Sequence, residues 1–419
     1  MKLSTSLSVL LFAIPALAQE LVEEDWSSHP TRLPTPTSDL TATLDPTSGL
    51  IYLIGGCNAE TGNSLVFNTT FYGCSSVTAA AYAFDTASGK IDTAVPDAPR
   101  PRYRHAAAYV QGHIWLVGGR DLEDNLVTAI DVYSVGEGRW LDTESTLELP
   151  SNLVTSDLTA FATEDEIHVI GGYDVEYTAV TTTYAIDVAA SLSGSQSLVW
   201  SERGGLAEAR GDTNAVWIEE SKTAYVVGGF THADFWCKAL SSVEQYDVDT
   251  DTWVRADPLT YERGDKAVAV VGSRLFVIGG ESNTDCDLDP AQRTAPTTEV
   301  EVLDTSDGEE ATWQEEIADI PDDHFRFPAV AYDGTIYTFG GQAYYESSCD
   351  CFPTRDTIFF YNVQEVKKWG VVPIAACSVA AVALVVGVIL FAKSKSGNKE
   401  RPTEIAVAEQ DVKTGVQLN

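Results

Sequence analysis

Arginine, aspartate and histidine recur at matched places along this chain of 419 residues, and their types set the first chemical expectation. Ser38-Asp39-Leu40-Thr41-Ala42 recurs as Ser156-Asp157-Leu158-Thr159-Ala160, and Arg210-Gly211-Asp212 recurs as Arg263-Gly264-Asp265. Arg102, Arg104 and His105 hold the equivalent place in another segment, and His324 and Arg326 in a last one. A guanidinium presents paired donors that match a carboxylate or a phosphate. Gathered around one opening, Asp39, Arg102, Arg104, Asp157, Arg210, Asp212, Arg263, Asp265, His324 and Arg326 would make a ligand-binding ring. The plainer reading is that these arginines and aspartates pair with each other across neighbouring repeats. The two Arg-Gly-Asp tripeptides fall at matching repeat positions and are read as repeat chemistry, not as adhesion motifs.

Catalysis finds no comparable set. The chain has no Ser nucleophile elbow, P-loop or zinc motif, and His29, His105, His113, His168, His232 and His324 include no pair at ligand spacing. No metal and no cofactor is expected. Cys57, Cys74, Cys237, Cys286, Cys349 and Cys351 form an even set, which in a secreted chain reads as disulfides. Cys57–Cys74 is the expected local staple, and the other pairings stay open. Asn68-Thr69-Thr70 is an N-glycosylation sequon.

Both ends bear on topology. Lys2, an apolar run from Leu7 to Leu17 and the exit Ala16-Leu17-Ala18 read as a signal peptide over 1–18. Val371 to Ala392 is an uncharged run of 22 residues; as a helix it would span about 33 Å, enough for a hydrocarbon core. Lys393, Lys395, Lys399 and Arg401 follow and mark the cytoplasmic side. The expectation is a single-pass type I protein of the plasma membrane or another secretory-pathway membrane. Its parts are an ectodomain over 19–370, a transmembrane helix over 371–392 and a short cytoplasmic tail over 393–419. The net charge of −36 makes nucleic acid a poor partner.

The elements that would position the ring come from a repeat. Six apolar strands end in a glycine doublet: Gly55-Gly56, Gly118-Gly119, Gly171-Gly172, Gly228-Gly229, Gly279-Gly280 and Gly340-Gly341. First glycines lie 63, 53, 57, 51 and 61 residues apart. A second strand with an aromatic follows most doublets, and a tryptophan then comes at Trp140, Trp200, Trp253 and Trp313. Blade one has Ile91 where the tryptophan would be, and insertions precede Trp200 and Trp313. Glycine permits a tight turn and close packing at the strand end, and the indole would fill space between neighbouring units.

This pattern resembles the kelch repeat over nearly all of the ectodomain. The resemblance implies an all-β, six-bladed kelch-type β-propeller of four-stranded blades, beside the one C-terminal transmembrane helix. Chain before Gly55 and after Gly341 together supplies one further repeat length, so both termini would complete the last blade. Trp26 and Trp369 both fit its tryptophan position. The loops after the doublets share a face with the starts of the innermost strands, the face that often carries the binding site in kelch propellers. All six ectodomain cysteines follow a doublet, so one arc of that face is expected to carry stapled loops. The function expected is recognition of an extracellular protein or glycan; the alternative is a carbohydrate-acting enzyme, since kelch-like propellers include copper oxidases and sugar epimerases. Oligomeric state is left open.

Overall fold

The second strand of each repeat is almost wholly apolar: LIYLI at Leu50–Ile54, HIWLV at His113–Val117, TAYVV at Thr223–Val227 and RLFVI at Arg274–Ile278. Such a strand must be covered on both faces. The strand before it is shorter in side chain, as in AAAYV at Ala106–Val110 and AVAVV at Ala267–Val271, which suits a crowded position near an axis. The computed structural model describes residues 25–363 apart from 59–61, 67–68, 144–146, 194–196, 232–237, 284, 286, 289 and 315–317. The signal peptide, the 371–392 run, the tail, Asn68, Cys237, Cys286 and Trp369 therefore lie outside the described residues. No described helix is long and apolar enough to cross a membrane.

Six antiparallel sheets carry the fold, one per doublet. Blade 2 shows the plan: Ala106–Val110 innermost, then His113–Val117, Asp131–Ser134 and Arg139–Trp140 outermost. Each innermost strand packs on those of the blades either side, so the six close a ring. Blade 5 has three strands among the described residues, and its Trp313 region adds a bridge between Val302 and Gln314. The insertion in blade 3 forms the short helix Val188–Leu192, capped by Asp187.

Blade 6 is completed by the N-terminal Ser27–Ser28, paired antiparallel to Ile358–Asn362. Trp26, next to that strand, is buried and lies 5.3 Å from the Tyr361 ring. It packs in the seam between blades 5 and 6, with Phe276, Ile336 and Phe359. Among the two tryptophans, Trp26 thus takes the repeat position. Trp140 and Trp313 span seams as expected, their indole N–H groups donating to the Pro96 and Asp257 carbonyls of the preceding segment. Trp253 sits in the seam between blades 3 and 4. Trp200 departs from the expectation: it pairs opposite Ile186, in the register that Trp140 and Trp253 keep in their blades, yet it is 38% exposed.

There is no single central core. Apolar burial is divided among six seams, for example Trp115, Val132, Ile167 and Ile186 between blades 2 and 3, or Ile51, Phe84, Phe339 and Ile358 between blades 6 and 1.

Candidate functional site

The glycine doublets tie these seams together. All twelve glycines have positive φ, a region costly for residues with a Cβ. The second N–H of each doublet donates to a carbonyl of the next blade: Gly56 to Arg102, Gly119 to Thr155, Gly172 to Arg210, Gly229 to Arg263, Gly280 to His324 and Gly341 to Thr37, at 2.8–3.0 Å. The last of these closes blade 6 onto blade 1. A Cβ on Gly118 would stand 2.5 Å from the Thr155 oxygen, so the doublet is needed for approach as well as for turning.

Each accepting residue opens a tripeptide that leads into an innermost strand. The third residues of these tripeptides are Asp39, Arg104, Asp157, Asp212, Asp265 and Arg326, and all six have positive φ of 50–56°. Their backbones form a second closed circle. Arg104 N–H donates to Asp39, Asp157 to Arg104, Asp212 to Asp157, Asp265 to Asp212, Arg326 to Asp265 and Asp39 to Arg326, at 2.7–3.3 Å. Their side chains line a cavity of about 210 Å³ that continues along the innermost strands past Thr41, His105, Thr159 and Asn214.

The two arginines of this ring pair with three of its four aspartates. Arg104 Nε lies 3.2 Å from Asp157 and 3.5 Å from Asp39; Arg326 Nε lies 2.9 Å from Asp265 and 4.0 Å from Asp39. Burial opposes ionisation of Asp265, but Arg326 and Arg104 outweigh it and hold the carboxyl below its usual range. Asp212 has no arginine at pairing distance among the described ion pairs. Burial, then the Asp265 and Asp157 carboxylates, push it well above the usual range, and the Tyr173 hydroxyl donates to it at 2.8 Å. Burial and Asp265 push Glu281 up to about 8, while burial and Arg210 push Lys266 down to about 7. The Lys266 ammonium reaches the Asp212 carbonyl at 3.3 Å. Among the described residues no group of His, Cys, Asp and Glu could hold a metal ion.

Six of the ten residues expected at the opening are thus brought together, and four are not. Arg102, Arg210 and Arg263 are at most 1% exposed and turn into their own blades. Their guanidiniums donate to the carbonyls of Gly118, Gly228 and Gly279 and pair with Asp131, Glu244 and Glu301. They brace the doublets and are not available to a ligand. His324 is buried against Phe327 and Phe359, with Nδ1 2.9 Å from the Asp322 carbonyl. The Arg-Gly-Asp tripeptides resolve the same way. Arginine braces a blade, aspartate joins the ring, and glycine is required because the Tyr173 ring lies on Gly211 and the Phe230 ring on Gly264.

Residues directly after a doublet complete this architecture. Tyr173 and Glu281 belong to the ring's surroundings, and Arg120 joins the loops of blades 2 and 3. Arg120 donates to Ser156 Oγ and to the Asp124 and Asp174 carbonyls, and lies over the Tyr177 ring at 3.7 Å. Position after Gly-Gly is a signal that would have found all three. In blade 1 the same place is held by Cys57, bonded to Cys74 as expected; Cys349 and Cys351 are bonded to each other in blade 6.

Above the ring, the loops after the doublets expose large apolar side chains: Leu122 in blade 2 (51%), Val175 in blade 3 (67%), Leu288 in blade 5 (39%) and Tyr344 in blade 6 (48%). Their types carried no periodic signal, and only the fold gathers them on one face.

Comparison with known proteins agrees with this architecture. A family model described as the Attractin/LZTR1 β-propeller matches residues 73–341. Kelch-like protein 25 of Xenopus tropicalis is 25% identical over 196 residues, covering 44% of this chain and 30% of that protein. The chain therefore spans less than a third of that relative's length. Among solved structures, YjhT superposes with a TM-score of 0.60 at 12% identity, over 80% of this chain and 97% of that one, a likeness of fold alone.

Proposed function

Because the chain belongs to the Attractin/LZTR1 β-propeller family, whose kelch-type propellers are commonly protein-binding scaffolds and mostly not enzymes, we propose that it is a type I membrane protein that recognises a protein ligand outside the cell. The contact surface in this reading is the face formed by the loops after the glycine doublets. One observation carries it: that face exposes Leu122, Val175, Leu288 and Tyr344, whereas the charged ring beneath is occupied by its own ion pairs. Val199, Trp200, Val248, Val254 and Tyr261 are exposed outside these loops and are ordinary singly, whereas the four named share one face. Ile358–Asn362 runs away from that face, so the last described residue, Val363, lies on the other one. The signal peptide over 1–18, the apolar run over 371–392 and the lysines after it support the topology. The disulfides support an oxidising compartment.

The test uses soluble 19–370, multimerised, on intact cells and extracellular matrix. The propeller closes with residues up to Val363, so this portion contains the whole ring. Saturable binding is expected that is lost on protease treatment of the target and in Leu122→Asp with Val175→Asp, at unchanged unfolding temperature. Binding that survives protease and is competed by sugars would transfer the reading to a glycan. No binding on any surface would overturn it and favour assays of sugar epimerisation and copper-dependent oxidation. Digestion of the ectodomain on intact cells tests the topology.

A further inference from the structure

We propose that Cys349–Cys351 is an exchangeable disulfide that takes up a thiol at the loop face, unlike Cys57–Cys74, which is a structural staple. The two bonds differ in what they close. Cys57 and Cys74 are 17 positions apart, and Cys57 is fully buried beneath its doublet, bridged to Ser38 and Val77. Cys349 and Cys351 enclose one residue. Stabilisation by a cross-link grows with the loop it closes, so this one contributes little to the fold. It also holds Asp350, a residue with a Cβ, at φ 52°, a conformation that opening the bond releases.

The surrounding loop does not depend on the bond. Phe352 is buried against Phe325 and Tyr345, ring centroids 5.5 and 5.7 Å away. Gln342 pairs with Thr354, and the Glu346 N–H donates to the Cys351 carbonyl at 2.8 Å. Both redox states can therefore share the backbone on either side of Asp350. Access differs between the sulfurs: Cys349 is half-buried among exposed Glu346, Ser347, Ser348 and Asp350, whereas Cys351 is 2% exposed.

The chemistry follows from that asymmetry. A thiolate of an incoming dithiol attacks Cys349 Sγ, and the bond to Cys351 breaks, with Cys351 leaving as thiolate and taking a proton from water. The second thiolate of the incoming dithiol attacks its own sulfur in the mixed disulfide and releases Cys349. The partner is then oxidised by two electrons, and Cys349 and Cys351 are a dithiol. Glu346 and Asp350 place negative charge beside the site, which disfavours anionic small thiols and favours a dithiol carried on a basic surface.

Full-length protein in detergent is equilibrated with a dithiothreitol series, and thiols are mapped by differential alkylation and mass spectrometry. Cys349 and Cys351 are expected to become free at a dithiothreitol concentration at least about tenfold below that which opens Cys57–Cys74, with the unfolding temperature unchanged. In Cys351→Ser, cystamine, a cationic disulfide, should form a stable adduct on Cys349. Opening of both disulfides together, opening of Cys349–Cys351 last, a fall in unfolding temperature when it opens, or no adduct in the variant would each overturn the assignment.

Discussion

At the residue scale, single side chains here are decided by which neighbour they meet. Three glycines separate the effects that the doublets combine. Gly136 has an unstrained backbone and open space, Gly112 has φ +76° and open space, and Gly118 has φ +66° with the Thr155 carbonyl against its Cβ position. Alanine at these sites should be near neutral at 136. It should cost about 1–2 kcal/mol at 112 and more than about 3 kcal/mol at 118, where a backbone carbonyl must move as well. Urea unfolding of the three variants tests the order, and equal losses at 112 and 118 would contradict the seam role of the doublet. Arg210→Met leaves Glu244, 1% exposed, without its cation. A loss of about 3–5 kcal/mol is expected, partly recovered when Glu244→Leu is added.

At the element scale, the six tripeptides before the innermost strands act as one belt, and the belt has a pH signature. Glu281 ionises at about 8 in the fold against 4.5 unperturbed. A raised carboxyl pKa means that its contribution to stability is fully present below about 4.5 and is lost as pH rises through about 8. Glu281→Gln keeps a donor toward Asp265 and cannot ionise. The variant should match wild type at pH 4 and gain on it by a few kcal/mol between pH 5 and 9, since each pH unit separating the folded and unfolded ionisation midpoints is worth about 1.4 kcal/mol. Parallel curves across that range would show that Glu281 ionises normally. Asp212 and Asp265 occupy equivalent belt positions yet should respond unequally. Asp212→Asn replaces a carboxyl whose ionisation is opposed by burial and by the Asp265 and Asp157 carboxylates, and should be the better tolerated, whereas Asp265→Asn takes a charge from Arg326. The second change should cost about 3 kcal/mol or more, read by the same unfolding assay.

At the scale of the whole molecule, stability depends on closure. A propeller keeps its sheet edges short only while its last blade is complete, and that blade relies on two residues from the other end of the chain, Ser27–Ser28 against Ile358–Asn362. Trp26 anchors this join. Trp26→Ala should cost about 3–5 kcal/mol, the usual loss for a buried tryptophan, and should raise proteolysis of the last blade. Trp200→Ala, at a formally equivalent repeat position but 38% exposed, should cost under about 1 kcal/mol. Equal losses in thermal unfolding would remove Trp26 from the closure.

The blade number, the kelch character, the closing of the ring by both termini and the Cys57–Cys74 staple were legible in the residues alone. The first three depend on local features that recur every 51 to 63 residues, an apolar strand, a doublet needing positive φ and a following tryptophan, and the staple on two cysteines 17 positions apart in one loop. What only the tertiary structure decided involves residues that pairing strands and neighbouring blades bring together. Trp26 was chosen over Trp369 by the strand that pairs beside Tyr361. Arg210 and Arg263 look like Arg104 and Arg326 in the chain, yet they sit two residues earlier in their tripeptides, and that offset turns them from the ring into the blade. The ion pairs of the ring, and the apolar face above it, arise because blades bring together side chains that no stretch of sequence holds side by side.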